Sequence, residues 1–198
     1  MKIIKSYYVI ISISLFIIFL IAAQIAAPDD YSVLKYGISA LGAQGYDRKI
    51  IMQLGFLSFG VILSIGIILN GLSWQACPIL IFALCIALTG IFCTKPFPSS
   101  EGISYSQTQS NFHAFFSKLA AVSFWIGIFI QMLFSKKSNV KIIDLTFLLL
   151  LAIVAFPLIF GILKNYQGIA QRILFLISFI WLVKFYKLKI SRQRTTEF

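Results

Sequence analysis

Two side chains in this sequence combine reactive chemistry with an unusual setting. His113 is the only histidine among 198 residues, and an imidazole can move a proton near neutral pH or hold a ligand. It opens a stripe of Ser117, Ala120, Phe124, Gly127 and Gln131 at spacings of 4, 3, 4, 3 and 4, which share one helix face. Small and polar residues on such a face mark contact with other helices rather than lipid. Arg172 stands one or two turns inside an apolar run, where a charge is costly unless paired, snorkelled or reached by water. Its planar guanidinium suits a phosphate or carboxylate group. Ser39, within YGISALGAQGYDRK at 36–49, is a third candidate. It becomes a nucleophile only if His113 comes within reach.

Each of these residues also has a structural reading. His113 can cap or hydrogen-bond a neighbouring loop. Arg172 can pin a loop onto helix ends by a salt bridge, with Asp29, Asp30 and Asp47 on one side and Glu101 on the other as available carboxylates. Familiar catalytic and cofactor patterns are missing from the sequence. There is no HExxH, no GxSxG, no histidine pair for zinc or haem, and no close pair of carboxylates inside an apolar run. Cys77, Cys85 and Cys93 are eight residues apart, so each is turned roughly 80° from the last on a helix and the three share no ligand face. Neither a cofactor nor a metal is expected.

The elements that must position these residues are membrane spans. The chain is 60% hydrophobic and 12% charged, with a mean hydropathy of +0.94, well beyond the roughly 45–50% apolar and 25% charged of soluble domains. Six apolar segments, at about 7–27, 50–69, 76–93, 113–134, 145–163 and 168–186, are long enough or nearly so to cross a core of about 30 Å. Lipid offers no partner to free backbone groups, so each is helical. The expected fold is therefore all-α: one integral membrane bundle of six transmembrane helices, followed by a basic tail at 187–198. The first segment has signal-like features, but its apolar run is long and Pro28 follows Ala27, so it is read as a retained span. Ten of the seventeen cations fall on the side shared by the two termini, which predicts that both termini, and the tail, are cytoplasmic. The net charge of +11 is spread over the ends of apolar runs rather than along a basic face, which argues against nucleic acid as a partner.

That topology brings the first connection, with Ser39 and its glycines, to the same outer face as His113, Arg172 and the 94–112 connection. Asp144, at the opposite end of the fifth span, is expected to face water. Gln53, Gly60 and Ser64 on the second span read as another helix-packing stripe.

ISALG at 38–42, GYDRKIIMQLGFLSFG after it, FCTKPFP at 92–98, SNFHAFFSKLA at 110–120 and GIAQRILF at 168–175 occur in order. In this the chain resembles the DUF998 family of multi-pass prokaryotic membrane proteins over about residues 10–186. The resemblance implies that Ser39, His113 and Arg172 are characteristic polar positions. It also implies a glutamate before the arginine, where this chain has Gln171, and an earlier acidic residue after the Phe-Pro pair, where it has Ser99 and Ser100. Losing those carboxylates weakens a proton-transfer role. The expectation is a membrane protein that binds or senses a lipid head group, anionic if Arg172 holds it, or a membrane-protein partner. Its site would be an outer-face cluster of Ser39, His113, Ser117, Gln171 and Arg172. The alternatives are an enzyme acting on a lipid or amphiphile with His113 as acid/base and, behind it, a small transporter.

Overall fold

A computed structural model of the chain describes residues 2–97, 102 and 104–195. Six helices follow one another: α1 (Lys2–Ile25), α2 (Lys49–Leu69), α3 (Cys77–Ile91), α4 (Gln107–Phe134), α5 (Ser138–Ile159) and α6 (Gln167–Thr195). No strand occurs among the described residues. All six are long and apolar enough to cross a membrane, so the chain is an all-helical multi-pass membrane protein. Two helices begin earlier than their hydrophobicity does. α4 starts six residues before His113 because the Ser106 hydroxyl caps it, accepting from the Gln109 N–H. α5 starts at Ser138 with a polar first turn. Apolar content marks where lipid begins, not where the helix does.

The bundle has two ends. At the terminal end the first part of α1 meets α6, with the Tyr8 and Tyr186 rings edge to face at 5.0 Å. At the loop end lie the connections 26–48 and 92–106. Between them a cluster of phenylalanines joins three helices: Phe16 of α1 is fully buried and touches Phe56 and Phe59 of α2 and Phe175 and Phe179 of α6. α2 and α3 approach backbone to backbone. A Cβ on Gly60 would overlap the Ala83 carbonyl oxygen and lie 2.5 Å from the Ala87 nitrogen, and one on Gly90 would lie 2.7 Å from the Gln53 carbonyl oxygen. The hydrophobic effect does not hold helices together in lipid, so close contact of this kind is what makes the pair cohere.

α5 is different. Of its side chains only Val140, Asp144 and Leu151 are buried. Contrary to the sequence expectation, Asp144 does not face water: it is 4% exposed, and its Oδ1 accepts a hydrogen bond of 2.9 Å from the Trp181 indole N–H of α6. The indole is buried too, so its N–H finds an acceptor where lipid offers none, while Asp144 Oδ2 is buried without a hydrogen-bond partner. This bond fastens α5 near the terminal end. Toward the loop end Pro157 lies in the last turn of the helix, and Gly161 follows with a φ of 72°.

Replacing Gly60 by valine should force α2 and α3 apart and leave little folded protein. Gly71→Ala, at a turn glycine with a φ of 81° and open space around it, should cost only about 1–2 kcal/mol. Thermal unfolding of the two variants in detergent separates the expectations. Comparable losses would mean that the α2–α3 contact is not what holds the bundle.

Candidate functional site

The site is built at the loop end, where helices leave backbone groups without partners. The first turn of α6 has free N–H groups, and the Leu34 carbonyl accepts from two of them, Gly168 at 3.0 Å and Ile169 at 3.3 Å. Gly168 is needed there, because a Cβ would run into the carbonyl oxygens of Val33, Leu34 and Tyr36. One turn deeper, Arg172 Nη1 donates to the Val33, Tyr36 and Gly168 carbonyls at 3.0, 3.2 and 2.9 Å. Its Nη2 donates to Gln24 Oε1 at 3.0 Å and to the Tyr31 hydroxyl oxygen at 2.9 Å. Tyr31 in turn donates to the carbonyls of Tyr36 and Gly37. Gln171 accepts at 2.5 Å from the Ile38 N–H, which opens the short 3-10 turn Ile38–Gly42 carrying Ser39. Residues 31–38 are thus sewn to α6.

The other half of the loop is sewn to the end of α3. Three successive carbonyls there have lost their helix partners. His113 Nδ1 lies 2.8 Å from the Phe92 oxygen; the Gln44 side chain donates to the Cys93 oxygen and the Gln44 backbone N–H to the Thr94 oxygen. Gln44 also exchanges both hydrogen bonds of its amide with the Ser106 backbone, at 2.8 and 3.0 Å. Gly45, beside it, takes a φ of 78°. Phe97 closes the assembly among the rings of Tyr31, Tyr36 and Tyr46.

Under this lid two chambers meet. A slot of about 220 Å³ runs into the bundle between α2, α3, α4, α5 and α6. Its walls are mostly apolar, among them Phe82, Phe124, Leu151 and Phe175, with Thr89, His113, Ser117 and Gln171 among the polar groups. Ser117 and Ala121 line the slot and are also exposed on α4, so it opens sideways beside α5. A wider vestibule of about 580 Å³ lies at the loop end, lined by Thr94, Lys95, Gln167 and the lid. Ser39, Gln171 and Leu158 line both chambers and mark the junction.

Four of the five residues singled out from sequence, Ser39, His113, Ser117 and Gln171, therefore share one slot, while Arg172 does not line it. Of the carboxylates considered for Arg172, Asp29, Asp30 and Asp47 are not its partners. Among the described residues it binds neutral oxygens only, and Glu101 lies outside them. The physical reason is that the loop it pins presents carbonyls, which need donors as much as an acid needs a counter-charge. No hydrogen bond joins Ser39 to His113 among the described residues. Because a carbonyl only accepts, His113 Nδ1 carries a proton toward the Phe92 oxygen, and the Thr89 backbone also stands within hydrogen-bonding range of the ring. Sequence reasoning passed over Gln44, Thr89 and Lys95. Gln44 had one signal, a lone amide between small residues in a bend; Thr89 and Lys95 had none beyond their polarity.

Residues 10–185 match the family described as "Protein of unknown function (DUF998)". Neither the comparison with curated proteins nor that with solved structures gives a match.

Arg172→Gln should release residues 31–38 from α6, seen as a gain of at least tenfold in amide exchange or proteolysis there, and Arg172→Lys should restore little because a point charge cannot span five oxygens. Asp29→Asn and Asp47→Asn should change nothing, and protection lost with either would restore the salt-bridge reading. Burial pushes the Tyr31 phenol above its ordinary value in spite of Arg172 beside it. The docked loop thus keeps a proton that the undocked loop gives up near pH 10. Loop protection should be complete below that pH and decline above it, more steeply than in Tyr31→Phe.

Proposed function

We propose that this chain, which belongs to the DUF998 family, binds or senses a membrane amphiphile by its head group, with the head in the vestibule and its apolar chain in the slot. The observation that carries this reading is the junction at Ser39, Gln171 and Leu158. It joins a polar chamber at the end of the spans to an apolar one within them, in the order an amphiphile needs. Small-molecule sites are concave, largely apolar and fixed by a few placed polar groups, and this one follows that pattern. A slot that opens sideways beside the least buried helix would admit its ligand from the bilayer. The cation bias read from the sequence supports both termini facing the cytoplasm, so the lid faces outward from a prokaryotic cytoplasmic membrane.

One observation favours an enzyme as the second reading. His113 and the Ser39 hydroxyl line the same slot, as a base and a nucleophile would. Catalysis needs the two within hydrogen-bond reach, and binding does not.

Native mass spectrometry of the protein extracted in mild detergent should find a retained amphiphile. Ala155→Trp, which fills the slot from α5, should remove it while thermal stability changes by no more than about 3 kcal/mol. A wild-type protein that carries no amphiphile and takes up none from added lipid would sink the proposal. His113→Gln should leave retention intact within about twofold; loss of turnover of the retained lipid in that variant would instead establish the enzyme.

A further inference from the structure

From the donors that line the two chambers, we propose that the ligand is a single-chain amphiphile with an anionic oxygen head, such as a carboxylate or a monoalkyl phosphate, and that Lys95 rather than Arg172 reads its charge. This rests on the binding reading above and names its ligand class.

The head is constrained by what the vestibule offers. Lys95 is exposed and is the only charged side chain lining either chamber, among the described residues. No carboxylate lines them among the described residues. Around the junction stand the Ser39 and Thr94 hydroxyls and the Gln167 and Gln171 amides. The Gln171 carbonyl oxygen is already taken by the Ile38 N–H, so what this amide has left to offer at the junction is its NH₂. A cation, an amide donor and two hydroxyls favour oxygens that accept hydrogen bonds, above all charged ones. A quaternary ammonium head would meet the Lys95 charge and, among the described residues, no carboxylate to offset it; Tyr36 and Phe97 are the aromatic rings it would find in the vestibule.

Arg172, the obvious anion binder in the sequence, is already committed. Both terminal nitrogens are engaged by five oxygens, and its remaining donor, Nε, is buried without a partner and without solvent access. No head group reaches it while the lid is docked. The chain is constrained by size. A slot of about 220 Å³ holds roughly seven water-sized groups at about 30 Å³ each. That is room within the slot for one alkyl chain of modest length or the end of a longer one, and not for two chains side by side.

The test is equilibrium binding of four probes with the same chain, decanoate, decyl phosphate, decanol and decyltrimethylammonium, to the full chain in zwitterionic nanodiscs. Decanoate and decyl phosphate should bind about tenfold tighter than decanol, and the ammonium weakest. Lys95→Gln should shrink the preference to less than threefold, and Lys95→Glu should invert it. Inorganic phosphate at the same concentrations should displace none of the bound probe, whereas displacement would make free phosphate, not an amphiphile, the ligand. Equal binding of decanol and the anions, or a preference that survives Lys95→Gln, overturns the anionic head. That failure differs from failure of the binding reading itself, which would appear as no probe binding, or as binding that Ala155→Trp leaves unchanged.

Discussion

A loop laid across the ends of membrane helices brings carbonyl oxygens to a level where water is scarce, and everything at the loop end of this protein follows from how those oxygens are satisfied. An unpartnered backbone group there costs several kcal/mol. Arg172 brings five N–H donors in a rigid fork and spends its two terminal nitrogens on three carbonyls, an amide oxygen and a phenol. The exchange runs both ways. Leu34 gives its carbonyl to the free N–H groups of α6, and Gln171 accepts from Ile38. Because the same contacts satisfy both partners, the lid and the start of α6 form one unit, and the Ser39 turn is held at a fixed place over the slot.

The spans and their order were readable because lipid imposes a single composition on everything it touches. The helix ends were not, since α4 begins at a serine cap and α5 in a polar turn, both outside the apolar runs. The site was half readable. Topology brought Ser39, His113, Ser117 and Gln171 to one place, and they line one slot. What it could not reveal is which way a donor turns once there. Arg172 and Asp144 look alike in a sequence, each an isolated charge in an apolar run. One became a clamp for carbonyls and the other a buried acceptor for an indole. Their hydrogen bonds go to neutral partners from distant segments, and neutral partners leave no charge pattern to read.

The bundle is uneven by design of its contacts. α2 and α3 touch through Gly60 and Gly90, and α1, α2 and α6 share the Phe16 cluster. α5 has three buried side chains, of which Asp144 lies near the terminal end. A helix held mainly at one end cannot close against its neighbours at the other. The slot beside it is the geometric consequence of that asymmetry, and it lies under the lid because α5's free half is the half that carries Leu158 and Pro157.

His113 bears on the choice between the binding and the enzyme readings proposed above. A catalytic histidine is commonly oriented by a carboxylate that also stabilises the imidazolium formed when the base takes its proton. Here Nδ1 is turned to the Phe92 carbonyl, one of three that the end of α3 leaves free. A carbonyl fixes the tautomer and the ring direction but supplies no countercharge. With Arg172 spent on the lid, the charge lining the two chambers among the described residues is that of Lys95.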